Sequence, residues 1–291
     1  MSSSFKEVVH ELGFVEALPK PTKNELHDHY REKYYQQSSG SYSAEYTPQE
    51  LSYFCNVARV AERVSSNLGL HRSLLDLGCG EGFFVAEFFR ASWDVDCCDF
   101  SEHGLRTHNP NLLPFFQPGD LFEKINQYVE SGSTFGLVNM QKVLEHVLDP
   151  VELLKTIKAL LVPNNSCLRI RVPNDYSKFQ EKLVENGFVS NTWFAPPEHL
   201  SYFNRASLVN ILTYTGYTIK SLQADFPIEL FLVNPNSNYW KDRQLGKGAH
   251  HTRVFCKNFL IDSDIDAYIN YSEAAGQLGW GRELIVFASP S

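Results

Sequence analysis

Three glycines at alternate positions, Gly78, Gly80 and Gly82, follow a short apolar stretch of the sequence. Glycine adopts positive φ angles readily and lets a ligand approach the backbone closely. About 20 residues further along, Asp99 ends a second apolar stretch, and a carboxylate there can accept hydrogen bonds from both hydroxyls of a ribose. The spacing indicates a nucleoside-binding loop, although a dinucleotide site or a plain turn between a strand and a helix uses similar glycines.

Histidine exchanges protons near neutral pH, which makes it the first side chain to consider as a general base. His199 is the strongest candidate, because it lies in the irregular segment after the fifth predicted strand. His251 and His146 are further candidates, and His146 begins the helical stretch after the fourth strand. The alternative for His199 and His146 is a structural role, in which the ring fixes the local backbone through hydrogen bonds.

Four cationic or titratable side chains, Lys247, His250, His251 and Arg253, stand close together in a chain of net charge −8. Glycines flank the first of them, and flexible glycines among cationic side chains suit an anionic group such as a phosphate. We therefore expect Lys247, His250 and Arg253 to bind an anionic part of the substrate. The alternative is a basic turn that faces the solvent.

Short apolar strands alternate with helical spacing along most of the chain. The predicted strands are 73–77, 93–98, 115–117, 135–140, 166–172, 217–225 and 283–288. Helical spacing covers 48–68, 83–89, 150–161 and 207–214. This alternation predicts an α/β fold with a Rossmann-like, mainly parallel sheet and helices on both faces.

The spacing of these elements predicts four parts. A tyrosine-rich helical leader spans residues 1–70, the core spans 71–226, and the last core strand lies within 282–291. The fourth part, residues 227–281, lies between the last two predicted strands, where a short hairpin loop would have been enough. We expect this insertion to form a cap over the substrate.

Charge and composition narrow the classes of partner. With a pI near 5.7, the chain repels nucleic acid and anionic membranes outside any local basic pocket, so neither is an expected partner. The six cysteines show no zinc-type spacing, and no metal site is predicted. No signal peptide or long apolar run is visible, which favours a cytoplasmic protein.

Five segments resemble, in the same order, the motifs of class I S-adenosylmethionine-dependent methyltransferases. They read DLGCGEG at 76–82, GDL at 119–121, FGLVNMQKVLEHVLDP at 135–150, LLVPNN with RVPN within 160–174, and PPEHLSYF at 196–203. The last of them is typical of one subgroup. A nicotinamide-dependent enzyme is the competing class, but it gives no reason for the VLEH run.

The resemblance implies a site for S-adenosylmethionine, which leaves as S-adenosylhomocysteine. The backbone of 78–82 would hold the methionine part, with Asp76 near its amino group, and Asp99 would bind the ribose. Gln141 and Lys142 would flank the sulfonium. Such a site lies at the carboxyl ends of the strands.

The resemblance also implies an adenine pocket. Asp120 would bind the adenine amine, while Phe100 and Leu121 would enclose the ring. In the leader, Tyr35 and Tyr42 resemble the amino-terminal pattern of bacterial methyltransferases associated with surface polysaccharides, which implies that they fold over the cofactor. Packing between helix and sheet is the alternative role for these tyrosines.

Two positions depart from the family pattern. Gly136 stands where the family usually has aspartate, an acid expected near the ligand edge of the sheet, and asparagines at 164–165 replace a glycine pair. Asparagine tolerates left-handed backbone geometry, so the second change affects only a turn.

Together these features predict an O-methyltransferase for a small hydroxylated acceptor, with or without a phosphate, such as a nucleotide-linked sugar or a capsule precursor. Transfer to nitrogen or to a quinol is the first alternative. The second is a non-catalytic protein that binds S-adenosylmethionine, and only Gly136 favours it.

Overall fold

In the computed structural model, the described residues are 5–22, 24–26, 45–162, 164–191 and 193–291. The predicted cofactor residues Tyr35 and Tyr42 lie outside them. The strands are β1 Lys6–Val9, β2 Val15–Leu18, β3 Ser73–Leu77, β4 Asp94–Asp99, β5 Phe116–Pro118, β6 Leu137–Gln141, β7 Cys167–Pro173, β8 Ser201–Tyr202, β9 Tyr217–Ala224 and β10 Glu283–Pro290.

The α-helices described here are α1 Pro48–Asn67, α2 Phe83–Arg90, α3 His103–His108, α4 Leu121–Glu130, α5 Pro150–Ile157, α6 Lys178–Glu185, α7 Arg205–Tyr214, α8 Gly246–Ser263 and α9 Ile265–Leu278. Short 3₁₀ turns lie at Pro110–Phe115, Leu144–His146, Lys158–Leu160, Ile228–Leu232 and Arg243–Leu245. None of these described helices is long and apolar enough to cross a bilayer.

Seven strands form the central sheet, in the order β5-β4-β3-β6-β7-β10-β9. The first five run parallel, whereas β10 is antiparallel to both β7 and β9. Every residue of β3 and β7 is buried, as expected for parallel strands whose two faces are covered by helices. The α/β fold predicted from the alternating pattern is therefore confirmed.

Two hydrophobic clusters cover the sheet, one on each face. The helices α4, α5 and α7 pack on one face, α1, α2 and α8 pack on the other, and α9 contributes residues to both clusters. The cap of α1 shows how local sequence fixes such a helix. Thr47 and Glu50 form a capping box, and Pro48 fills the first turn, where no backbone N–H is needed.

The leader is only partly helical. The predicted helix at 48–68 is confirmed as α1, but residues 6–18 form the antiparallel hairpin β1–β2, which pairs with β8 in a separate three-stranded sheet. The four residues of β1, with the sequence KEVV, do not alternate between apolar and polar, so periodicity did not predict this strand. All four are exposed.

The 227–281 insertion contributes to the core. Ile261 of α8 and Tyr268 and Ile269 of α9 belong to one of the two clusters, and α9 lies directly on β9. At Gly276 a Cβ atom would come within 2.3 Å of the Leu222 carbonyl oxygen, so the absence of a side chain permits this close packing. That the insertion also covers the acceptor stays a prediction.

Gly136 lies at the amino end of β6, opposite to the edge where the glycine loop lies. Its N–H donates to the Ser73 hydroxyl at 2.9 Å, and a Cβ would fall 1.7 Å from the carbonyl oxygen of His71. We expected an acid at this position to lie near the ligand edge of the sheet. That expectation is wrong, because position 136 lies at the opposite edge and no side chain fits there.

The Gly136→Ala variant should lose about 1–3 kcal/mol of unfolding free energy, because the new methyl group must displace backbone. Urea denaturation measures this loss. The control is Gly248→Ala on α8, where a Cβ meets open space. It should be neutral or stabilise the protein by up to about 1 kcal/mol. Equal stabilities for the two variants would contradict the packing described at Gly136.

Candidate functional site

The glycine loop joins β3 to α2 and has the backbone that its sequence predicts. Gly78, Gly80 and Gly82 all have positive φ angles, at 82°, 55° and 77°. At Gly82 a Cβ would come 2.2 Å from the Leu105 side chain, so this position needs glycine for space as well as for φ. The chain thus turns sharply and leaves its N–H groups at the carboxyl edge of the sheet.

Asp99 lies beside this loop at the end of β4. Its Oδ2 atom accepts a hydrogen bond from the Gly80 N–H at 2.9 Å, and burial raises the pKa of the carboxyl group. The N–H of Gly119 donates to the Asp99 carbonyl at 3.0 Å, which brings Asp120 to the same edge. The two predicted acids of the nucleoside site are therefore adjacent in the fold.

Asp120 caps the amino end of α4. Its Oδ1 atom accepts hydrogen bonds from the N–H groups of Phe122 and Glu123, at 2.9 and 3.1 Å. The side chains of Phe100 and Leu121 are half-buried beside the two acids. The roles predicted for Asp120, Phe100 and Leu121 in binding adenine stay predictions.

Asp76 begins a buried chain of hydrogen bonds that crosses three strands. Asn139 donates to the Asp76 carboxylate at 2.6 Å and accepts from Arg169 at 2.6 Å. The three residues are direct neighbours in the registers of β3, β6 and β7. Burial raises the pKa of Asp76 to about 7, although the Asn139 hydrogen bond and Arg169 oppose this. The sequence drew attention to Asp76 but not to Asn139, because strand pairing had to be known first.

The end of β6 carries two features typical of a binding edge. The Oε1 atom of Gln141 is buried and accepts no hydrogen bond from the described residues. Lys142 has a φ of 57°, an uncommon angle for a residue with a side chain. Its ammonium group lies 3.7 Å from the Glu283 carboxylate. These observations support the predicted position of both residues at a ligand site.

An aromatic group covers the outer side of the glycine loop. The Tyr46 hydroxyl donates to the Glu81 carboxylate at 2.5 Å, and its ring lies against Phe54, Phe83 and His108. The segment before α1 is thereby attached to the loop. The sequence predicted that leader tyrosines lie over the cofactor, but it did not single out Tyr46.

Two of the three candidate bases come together. The rings of His146 and His199 are perpendicular, with centroids 4.8 Å apart, and Glu145 lies against them. The N–H of Leu200 donates to the Glu145 carbonyl at 2.8 Å, which holds the two segments side by side. The sequence did not predict that the two histidines lie together, because their segments are far apart in the chain. The Nδ1 atom of His146 contacts the carbonyl of Glu198, which is 52 positions away.

The third candidate, His251, lies on α8, where the basic cluster forms a helix. The alternative interpretation of this segment, a basic turn that faces the solvent, is therefore wrong about the backbone. Lys247 and His251 are exposed, one turn apart, whereas His250 and Arg253 are partly buried. His250 lies 3.5 Å from Glu50 of α1.

Arg253 is held against α1 as well. Its guanidinium lies over the Tyr53 ring at 5.5 Å and contacts the His250 ring at 3.1 Å, so two of the predicted anion-binding residues face α1. A substrate anion would have to reach Lys247 from the other side of the helix. Binding of an anion by Lys247, His250 and Arg253 stays a prediction.

A buried ion cluster lies beneath the same edge of the sheet. Arg171, near the end of β7, donates to Asp225 at 2.6 Å and to Glu283, and Lys257 of α8 donates to Asp225 at 2.6 Å. All four residues are buried. Although burial opposes it, Lys257 and Arg171 hold the pKa of Asp225 well below its usual range. The cluster joins α8 to the strands that carry the site.

The part of the chain that carries this site is similar to known proteins. A family model described as a methyltransferase domain matches residues 49–222. Two ubiquinone biosynthesis O-methyltransferases, from Caulobacter sp. (strain K31) and Caulobacter vibrioides, are 32% and 31% identical over 95 and 96 residues. These matches cover 31% of this chain and only 36% and 37% of those proteins.

Solved structures with a similar arrangement are more distant in sequence. A SAM dependent methyltransferase from Archaeoglobus fulgidus has 18% identity and a TM-score of 0.47, with 90% of this chain and 98% of that chain covered. The plantazolicin methyltransferase BpumL in complex with SAH has 16% identity and a TM-score of 0.46, with 94% and 91% covered. Similarity at this level carries no information on the substrate.

Proposed function

The chain belongs to the methyltransferase domain family, and from this premise we propose that it is an S-adenosylmethionine-dependent O-methyltransferase for a small hydroxylated molecule. The observation that carries the proposal is the loop of three positive-φ glycines, held by the Asp99 carboxylate at the carboxyl edge of the sheet. Open α/β sheets bind nucleoside ligands at this edge.

The residues at this edge fit such a cofactor. At Gly78 a Cβ would come 3.0 Å from Val143, and the three positive-φ glycines of the loop let a ligand approach the backbone closely. The Asp99 carboxylate suits two ribose hydroxyls. The Oε1 atom of Gln141, which has no hydrogen-bond donor among the described residues, can accept a hydrogen bond from a ligand.

When bound, S-adenosylmethionine supplies a methyl group on a positively charged sulfur. Transfer to an acceptor oxygen would leave the carbon–sulfur electron pair on sulfur, and the acceptor hydroxyl would give its proton to a base of this chain. The residues of this chain orient the two reactants and take up the proton, and orientation alone can account for a large part of such a rate enhancement.

His199 and His146 are the groups proposed for the proton. His146 lies in the turn after β6, and His199, from the segment before β8, lies against it. A pair of imidazoles at the edge where Gln141 ends its strand can remove a proton near neutral pH. His251, on α8, is the weaker candidate because it is exposed on the outer side of its helix.

The His199→Ala variant should lower turnover by about 100-fold or more, the range of general-base contributions, while the affinity for S-adenosylmethionine stays within about twofold. Calorimetric titration and initial rates measure the two quantities. His251→Ala is the matched comparison and should retain most of its turnover. Loss of cofactor binding in His199→Ala would assign His199 a structural role instead.

The acceptor class is tested by transfer from methyl-labelled S-adenosylmethionine into fractionated bacterial extract, followed by phosphatase treatment. Label in a phosphatase-sensitive fraction supports a phosphorylated acceptor, such as a nucleotide-linked sugar or a capsule precursor, bound by Lys247, His250 and Arg253. Label in a neutral or apolar fraction excludes that acceptor. If cofactor binds but no label appears in any fraction, the non-catalytic alternative gains support.

A phenolic, quinol-type acceptor is the second candidate. The observation in its favour is the match to two ubiquinone biosynthesis O-methyltransferases. Label in the apolar fraction, retained after phosphatase treatment, would support it. Transfer to nitrogen is distinguished by its indifference to His199→Ala, since a neutral amine need not lose a proton before attack. The Gly136 position no longer favours a non-catalytic protein, because it lies at the opposite edge of the sheet.

A further inference from the structure

Glu145, His146 and His199 have the composition of a metal site. Each offers one ligand atom, and these atoms all lie within 4.8 Å of one another. Two imidazoles and one carboxylate leave a fourth position open, as in catalytic zinc sites with three protein ligands. The sequence predicted no metal here, since Glu145 and His146 lack a partner at short spacing.

The Glu145 carboxylate needs a partner that the described residues do not provide. The residue is 1% exposed, and neither carboxylate oxygen has a hydrogen-bond partner. A buried carboxylate without hydrogen bonds is costly, and a cation bound to it removes that cost.

His146 is oriented as a ligand would be. Its Nδ1 atom lies 2.6 Å from the Glu198 carbonyl oxygen, which can only accept, so Nδ1 carries the proton. The lone pair then resides on Nε2, which is 3.9 Å from the Glu145 carboxylate. An imidazole that donates to a backbone carbonyl and directs its other nitrogen at an ion is the usual arrangement in metal sites.

The structure assigns to Glu145, His146 and His199 a site for a divalent first-row transition metal, for which we propose zinc. Mixed nitrogen and oxygen ligands favour this class over magnesium or calcium. Bonds of about 2.0–2.2 Å require the three atoms to approach one another, which rotation of the two imidazoles and the carboxylate provides. The site lies beside β6, at the edge assigned to the cofactor.

This inference rests on the proposed function for its chemical role. A hydroxyl at the open fourth position would lose its proton more easily, because a bound divalent ion lowers the pKa of an oxygen ligand. His199 would then act as a ligand rather than a base, and the proton of the acceptor hydroxyl at the fourth position would pass to water. Turnover of His199→Ala should fall whether His199 is a general base or a metal ligand. Turnover therefore does not separate the two roles, and the test measures metal binding directly.

The test uses the full chain without an affinity tag, stripped with a chelator and titrated with Zn²⁺ in a calorimeter. The expected result is one ion per chain in the wild type and an affinity weakened at least about tenfold in Glu145→Gln and His199→Ala. His103→Ala, which removes an exposed histidine of α3, is the control and should bind zinc as the wild type does. Cobalt substitution adds a visible spectrum that reports the coordination number.

Glu145→Gln keeps the size of the side chain, and thermal unfolding without metal verifies that each variant folds. Zinc should raise the Tm of the wild type and of His103→Ala, but not that of the two ligand variants. A wild-type Kd above about 1 mM, or equal affinities in all four proteins, overturns the site. Zinc binding by a protein that transfers no methyl group supports the site and rejects the proposed function.

Discussion

Asp99→Ala is expected to weaken the binding of S-adenosylmethionine by about 100-fold or more. Two hydroxyl donors on one carboxylate contribute roughly 1.5–3 kcal/mol each, and alanine removes both. The variant also loses the acceptor for the Gly80 N–H, which fixes the glycine loop. Calorimetric titration with the cofactor measures the change, and Asp99→Asn should fall between the two proteins because it keeps one acceptor.

Asp94→Ala is the control for this experiment. Asp94 is exposed at the opposite end of the same strand, so its removal should leave the affinity unchanged. Thermal unfolding without ligand shows whether Asp99→Ala still folds. An affinity of the folded Asp99→Ala protein within about threefold of the wild type would exclude the proposed ribose contact.

Arg171→Met should lower the free energy of unfolding by about 3–5 kcal/mol, as expected when one partner of a buried ion pair is removed. The substitution removes the guanidinium from the buried Glu283 carboxylate, which keeps only the more distant Lys142 ammonium at 3.7 Å, and it removes one of the two cations that contact Asp225, leaving Lys257. Urea denaturation measures the loss. The exposed pair of Arg63 and Asp266 provides the matched control, and Arg63→Met should lose no more than about 1 kcal/mol.

The ion cluster also predicts a dependence on pH. The pKa of Asp225 is depressed in the folded state, so its contribution is present above the unfolded pKa of about 3.9 and is lost as pH falls below it. The stability difference between wild type and Arg171→Met should therefore shrink in acid. A constant difference down to pH ~3 would contradict the assignment of the stabilisation to these charges.

Most of the sheet could be predicted because each strand is short, apolar and bounded by a turn. The observed β3 coincides with the predicted range of 73–77, and the other six strands of the sheet differ by one or two residues at their ends. Such differences are expected, since strand ends depend on pairing and the predictions used one strand at a time. The antiparallel direction of β10 could not be read from periodicity.

The parts of the site that could be predicted are those whose residues lie close together in the sequence. The glycine loop and Asp99 follow from φ and spacing, and the structure brings them together. The pairing of His146 with His199 depends on two contacts between distant segments, from the Leu200 N–H to the Glu145 carbonyl and from the His146 ring to the Glu198 carbonyl. The basic cluster was misjudged because two glycines suggested a turn. Both lie in the first turn of α8, outside the helix interior where glycine is most destabilising.

During synthesis, β9 is made well before β10, the strand that pairs it to the sheet. β9 contacts the sheet only through β10, which is made about 60 residues later, so a ribosome working at about 5–20 residues per second leaves β9 unpaired for several seconds. During that time α9 emerges and can cover one face of the strand, but its edges stay open. Nascent chains paused between residues 225 and 283 should therefore be the ones that chaperones recognise, since unpaired edges invite aggregation.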